Sequence, residues 1–245
     1  MLLLLDQFAG TEKDNLRGLI HWEKPMIKPG PTGDEIAIPG APLYAPDNLA
    51  AGRIAGQALG KFAHENWSDQ PLVAAILGDV TDSGASVTAR IQGITQGLRQ
   101  ELPDVSPVLL DSAGHPVRAG GVLAKFLSAQ TRRKILLATL DDATALAAKS
   151  AVETAGRISD CVIVSQGADR SIHGGANEKK EIDPANRASI VLGSVAYYFD
   201  RYGYEILPIA LRILRGEQVP PQTSTRHILI SAKNVFVEYP PYDMN

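Results

Sequence analysis

Short apolar runs alternate along the chain with longer stretches in which apolar residues recur every three or four positions. Nearly unbroken apolar runs indicate strands covered on both faces, and they fall at 72–77, 108–110, 135–138, 162–164 and 190–195. The spacing of three or four predicts amphipathic helices at 48–67, 86–102 and 201–215. Because strands and helices alternate, the pattern predicts an α/β fold with a doubly wound parallel sheet.

Turn and cap residues agree with this division. Asp47-Asn48 and Ser86 stand where the first two helices should begin, and Gly156 and Gly216 stand where helices should end. The stretch 28–46 holds five prolines and three glycines, so it is interpreted as an irregular connection or hinge.

The chain starts with an apolar run, Leu2 to Leu5, that resembles a buried parallel strand. A membrane span needs about 20 apolar residues, and the run also lacks the basic region and cleavage site of a signal peptide. We therefore expect no transmembrane segment and no signal peptide, which would place the chain in the cytoplasm if Met1 is the genuine start.

Composition and charge exclude several classes of protein. The chain has 245 residues, 44% of them hydrophobic, with a net charge of -3. A slightly acidic balance argues against a nucleic-acid partner bound through bulk charge. The single cysteine, Cys161, excludes an internal disulfide framework and a cysteine-rich zinc module.

Polar residues that follow the predicted strands are the candidates for a ligand site, because ligands bind doubly wound sheets beyond the carboxyl ends of the strands. Arg90, Asp141, Asp169 and Tyr197 meet there if the strands are neighbours. Carboxylates and a guanidinium beside an aromatic ring suit a polyhydroxylated ligand. The alternative is that Asp141 and Asp169 are only helix caps or turn formers.

Motifs of enzymes are missing from the sequence. It has no GxSxG elbow, no GxxxxGK[ST] phosphate loop, no GxGxxG after a strand and no HExxH, and its five histidines are scattered. We expect no catalysis, hence no catalytic residues, and neither a cofactor nor a metal.

Five segments in order resemble the type 1 periplasmic sugar-binding proteins and the related lactose-repressor-like regulators. The resemblance covers roughly residues 35–240. The segments are 47–56 (compare DNxxAGxxAG), 90–94 (RxxG[FI]), 140–148 (NDxxALGA), 164–169 (a strand ending in VGxD) and 193–203 with 216–221 (the last strand–helix unit and its turn).

The resemblance implies two αβ lobes, joined by three crossing strands, that close on a sugar. It implies a C-terminal lobe of residues 48–197 plus 230–240 and a partial N-terminal lobe of residues 1–47 plus 198–229. Relatives carry further βα units before the strand that residues 2–5 resemble, so the N-terminal lobe is expected to be incomplete, as in a truncated receptor.

By the same resemblance, Arg90, Asp141, Asp169 and Tyr197 occupy ligand-contacting positions, and Glu35 stands near an acidic position of the N-terminal lobe. The chain departs from the family at Asp141, where Asn is usual, and at Ala147, where Gly is usual. An ionised Asp only accepts hydrogen bonds, so the sugar preference is expected to differ.

The resemblance leaves two hypotheses for function. The first is the periplasmic receptor of a bacterial ABC sugar transporter, which binds a monosaccharide-like ligand and docks on the membrane permease. The second is the effector-binding core of a transcription regulator without its DNA-binding headpiece. The tail, with a strand at 227–230 followed by Asn234 and Tyr239-Pro240, resembles the transport or sensor branch.

Overall fold

The computed structural model describes residues 42–81, 84–174 and 180–240. The predicted strand at Leu2 to Leu5 and the candidate Glu35 lie outside these residues. The described chain divides into two compact units, one of residues 42–47 with Tyr198–Arg226, the other of Asn48–Tyr197 with residues 227–240.

The second unit is built on a six-stranded sheet with the strand order β3-β2-β4-β5-β6-β8. All neighbours are parallel except β6 and β8, which are antiparallel. The prediction of a doubly wound parallel sheet is therefore confirmed. The strands are β2 (Leu72–Gly78), β3 (Val108–Asp111), β4 (Lys134–Thr139), β5 (Cys161–Gly167), β6 (Val191–Ala196) and β8 (Leu229–Ile230).

Helices connect the strands of this unit, and their apolar faces pack against the sheet. The two predicted helices are present as α1 (Asn48–Asn66) and α2 (Ala85–Glu101), whereas α3 (Pro116–Ala129) had no clear sequence signal. The others are α4 (Asp142–Thr154), α5 (Arg170–His173) and α7 (Val235–Glu238). Ser86 was wrongly predicted as a cap: α2 begins one residue earlier, and its N-cap Gly84 makes no side-chain bond.

The close contact between α1 and α2 depends on four glycines. A Cβ atom on Gly52 or Gly56 would overlap the backbone of α2 at Arg90 or Ile94, and one on Gly93 or Gly97 would overlap the backbone of α1. Only a hydrogen atom fits at these positions, so the two backbones touch. The contact brings the first turn of α1 beside Arg90, one of the candidate ligand residues.

The first unit holds a two-stranded parallel sheet of β1 (Leu43–Pro46) and β7 (Gln222–Thr225), with the helix α6 (Tyr202–Leu214). β1 lies in the stretch that the sequence indicated as irregular, so that interpretation is wrong at its C-terminal end. The Tyr44 ring meets the Tyr202 ring edge-on at 5.0 Å, and its hydroxyl donates to Glu205 at 3.2 Å. α6 has no buried residue, and Leu207, Leu211 and Leu214 are exposed.

The glycine contact predicts opposite effects for two alanine substitutions in helices. Gly56→Ala should destabilise the chain by about 1–3 kcal/mol, because the added methyl group forces α1 away from α2. Gly121→Ala, on α3, should stabilise it by about 0.5–1 kcal/mol, since nothing lies within 4 Å of the new methyl group and alanine favours helix. Urea unfolding followed by circular dichroism measures both. Equal stability of the two variants would contradict the contact.

Candidate functional site

The four candidate residues of the second unit lie at one edge of its sheet. Asp141 follows β4, Asp169 follows β5 and Tyr197 follows β6, so all three stand beyond the carboxyl ends of neighbouring parallel strands. Arg90 reaches the same edge from α2, where its Nη1 donates to the carbonyl oxygen of Leu140 at 2.7 Å.

Arg90 and Tyr197 are in contact within a buried polar cluster. The guanidinium carbon lies 4.8 Å from the centre of the Tyr197 ring. Arg90 donates from Nη2 and Nε to Asn48 Oδ1, at 2.8 and 3.3 Å, and only 6% of its surface is exposed. All of these partners are neutral, and together they fix the guanidinium in one orientation.

The Tyr197 hydroxyl completes this cluster. It donates to Gln166 Oε1 at 2.7 Å and lies 3.3 Å from Asn48 Oδ1. Its ring meets the His227 ring edge-on at 4.9 Å. Gln166 Nε2 is buried and has no hydrogen-bond partner among the residues that the structure describes. The sequence did not predict Asn48 as a partner of Arg90 or Gln166 as a partner of Tyr197, because both contacts join distant segments.

Asp141 and Asp169 both cap helices, which is the alternative that their spacing left open. Asp141 accepts from Thr144 N at 2.7 Å and from Thr144 Oγ1 at 2.8 Å, at the N-terminus of α4. Asp169 is exposed, and its Oδ1 accepts from the backbone nitrogen of Ser171 at 2.7 Å and from the Ser171 hydroxyl. No described residue donates to Asp169 Oδ2.

Asp142 is a buried carboxylate at the predicted helix start Asp141-Asp142, and it was not among the candidate ligand residues. It accepts hydrogen bonds from Ser194 Oγ at 2.6 Å, from Asp169 N at 2.8 Å and from Ser165 Oγ, so it links the ends of β5 and β6 to α4. Burial raises its pKa to about 7. The three hydrogen bonds act in the opposite direction and lower the pKa, but the effect of burial is larger. The sequence signal was present: Ser165 and Ser194 interrupt otherwise apolar strands.

Over the described part of the chain, no three His, Cys, Asp or Glu side chains are grouped so that they could hold a metal ion. Among the helices of the same residues, none is both long and apolar enough to cross a membrane.

Comparison with known proteins gives the fold. Neither a protein-family model nor a curated protein matches the sequence. Solved structures do match, among them GanP, a glucose-galactose binding protein from Geobacillus stearothermophilus, with 21% identity and a TM-score of 0.61 over 82% of this chain and 67% of that one. A carbohydrate transporter solute binding protein from Agrobacterium radiobacter, in complex with D-arabinose, has 17% identity and a TM-score of 0.64 over 83% and 65%.

A third similar structure is an ABC transporter solute binding protein from Agrobacterium vitis, bound with α-D-tagatopyranose. It has 16% identity and a TM-score of 0.64 over 83% of this chain and 62% of that one. The chain thus spans about two thirds of the length of these proteins. It has the fold of the type 1 periplasmic sugar-binding proteins, as the resemblance implied.

The buried Asp142 predicts a pH dependence of stability. Its pKa is about 7 in the folded chain against an ordinary value of 3.8, so the folded state holds this proton more tightly than the unfolded chain does. The stability contributed by the neutral carboxyl is therefore present below about pH 4 and lost as the pH rises through 7. Wild type should lose up to about 4 kcal/mol relative to Asp142→Asn between pH 4 and 8. Urea unfolding at each pH measures this difference.

The control for this prediction is Asp104→Asn, in an exposed loop. Its stability relative to wild type should change far less over the same range. A difference between wild type and Asp142→Asn that stays constant from pH 4 to 8 would show that Asp142 titrates as an ordinary carboxyl.

Proposed function

We propose that this chain is a sugar receptor, the solute-binding component of a bacterial ABC sugar uptake system that delivers its ligand to a membrane permease from the periplasm. The observation that carries the proposal is the position of Arg90, Asp141, Asp169 and Tyr197 beyond the carboxyl ends of β4, β5 and β6. Ligands of doubly wound sheets bind at this edge. We further propose that the two compact units correspond to the two lobes of such receptors.

The chemistry of the described residues suits sugar hydroxyls. Arg90 has five N–H donors, of which its contacts with Asn48 and Leu140 use three, so two remain for a ligand. Asp169 Oδ2 offers an ionised acceptor at an exposed position. Acceptors and donors fixed in this way match a group that both gives and receives hydrogen bonds.

The ligands of similar structures support a monosaccharide as the ligand class. Four such structures contain bound D-arabinose, D-allose, α-D-tagatopyranose and D-fucose. We propose that this chain binds a sugar of that size without chemical change. After incubation with the chain, each sugar should be recovered intact by mass spectrometry.

Removal of the Asp169 carboxylate is expected to weaken sugar binding. Asp169→Ala should lower the affinity by about 10- to 150-fold, because a charged hydrogen bond of roughly 1.5–3 kcal/mol is lost. Titration of the ¹⁵N-labelled chain with D-arabinose, D-allose, D-fucose, D-tagatose, D-glucose and D-galactose, followed by NMR chemical shifts, measures the affinity. Chemical shifts also detect binding with dissociation constants in the millimolar range. Arg90→Ala should have a similar effect, provided that its circular dichroism spectrum matches that of wild type.

Two matched controls separate ligand contact from loss of local structure. Asp183→Ala removes an aspartate that likewise accepts from a backbone nitrogen two residues later, at 2.7 Å, but precedes β6 rather than following a strand. Arg99→Ala removes an exposed arginine of α2 that donates to Ser106 at 3.2 Å. Both controls should bind sugar as wild type does. Unchanged affinity in Asp169→Ala and Arg90→Ala would contradict the site.

Asp141 is expected to tune the choice of sugar. Asp141→Asn keeps the cap of α4, because asparagine is as good an N-cap as aspartate. The substitution replaces an ionised acceptor by an amide that both accepts and donates. Affinity for the preferred sugar should fall by about tenfold, the difference between a charged and a neutral hydrogen bond, and the order of the six sugars should change. The same titration tests this, and an unchanged order would show that Asp141 only caps the helix.

A further inference from the structure

The segment Gly167 to Asp169 has an unusual backbone conformation. Gly167 has a φ of 133°, and Ala168 has a φ of 54°, in the left-handed region that residues with a side chain seldom adopt. Such a conformation is strained and persists only where its surroundings hold it. The side chain at the end of this segment is Asp169, the exposed carboxylate of the proposed sugar site.

The segment makes two hydrogen bonds that depend on the carboxylate of Asp142, through the backbone nitrogens of Ala168 and Asp169. It is also held by Tyr197 N, which donates to the Gly167 carbonyl oxygen at 3.4 Å. Asp169 N donates to Asp142 Oδ2 at 2.8 Å, and Ala168 N donates to Ser194 Oγ at 2.9 Å. Ser194 in turn donates to Asp142 Oδ1 at 2.6 Å. The segment is therefore tied to a side chain that is itself 1% exposed and held by the first turn of α4.

The fit around Asp142 requires glycine at position 167. A Cβ atom on Gly167 would lie 2.7 Å from Asp142 Oδ2, so only glycine leaves the carboxylate in its place. Ser165 also donates to Asp142 Oδ1, which fixes the rotation of the carboxylate. Every oxygen of Asp142 is thus committed within the protein, and none is available to a ligand as its main acceptor.

We propose that Asp142 is a positioning residue: it sets the place of the Asp169 carboxylate by accepting the Asp169 backbone N–H, and it does not touch the ligand. The consequence for binding rests on the proposed function, whereas the positioning itself does not. Loss of the acceptor releases the strained segment, and Asp169 then moves although its own side chain is intact.

Amide exchange tests the positioning without any ligand. In Asp142→Ala, hydrogen exchange of the Asp169 amide, read by ¹⁵N NMR, should become at least tenfold faster, while the amides of Leu137 and Ile163 in the sheet stay protected. Asp142→Asn should restore the protection, because its carbonyl oxygen accepts from Asp169 N and the hydroxyls of Ser165 and Ser194 rotate to accept from its amide. An Asp169 amide that exchanges equally in all three proteins overturns the proposal.

Sugar affinity tests the consequence by a double-mutant cycle. With the tightest binder of the six sugars named above, Asp142→Ala should lower affinity about tenfold in the wild-type background and not at all in Asp169→Ala. Val152→Ala, at another buried position of α4, is the control for lost stability and should bind as wild type does. Equal losses in both backgrounds, or the same loss in Val152→Ala, overturn the consequence.

The two measurements distinguish failure of the proposed function from failure of the proposed positioning role. If Asp169→Ala binds sugar normally while Asp142→Ala releases the Asp169 amide, the proposed function loses its site and the positioning holds. If Asp169→Ala weakens binding and Asp142→Ala leaves both amide and affinity unchanged, the sugar site holds and the positioning is wrong.

Discussion

The backbone contact between α1 and α2 is the constraint on which the polar cluster of the second unit depends. Gly52 lies against the backbone of Arg90, so the two helices approach as closely as their chains allow. This approach brings Asn48 Oδ1 within 2.8 Å of Arg90 Nη2. With any larger separation, a buried guanidinium would be left short of acceptors, and each unpaired polar group costs roughly 1–3 kcal/mol. The glycines therefore act on the site although none of them belongs to it.

Residues of the proposed site already have structural roles in the folded chain, independent of any ligand. Asp141 and Asp169 are fixed as helix caps, and Arg90 is fixed by neutral acceptors and by the Tyr197 ring. Their side-chain entropy is lost on folding, so a sugar need not order them again when it binds. Structural and binding roles are thus compatible here, and the capping of Asp141 and Asp169 is no argument against contact with a ligand.

Periodicity was sufficient to predict the sheet strands 72–77, 135–138 and 162–164 and the helices α1 and α2, because buried apolar faces leave a regular pattern. It also predicted α6, although no residue of that helix is buried. It failed where the pattern is broken. Gly120 and Gly121 interrupt the apolar pattern of α3 in the sequence, although the helix itself is continuous. Prolines surround β1, which forms by pairing with β7 more than a hundred residues later. Partners such as Gln166 could not be predicted either, because only the folded sheet brings them to Tyr197.

The pair Asp141-Asp142 shows how burial gives one residue type two chemistries at adjacent positions. Both carboxylates stand at the start of α4, where the helix dipole favours negative charge. Asp141 remains partly exposed and accepts from its own helix, so it holds the first turn. Asp142 points into the protein, where desolvation raises its pKa to about 7, and three hydrogen bonds from other segments offset only part of that rise. The sequence shows only two adjacent acidic residues. Because Asp141 is partly exposed and Asp142 is buried, the first caps a helix and the second links two strands to that helix.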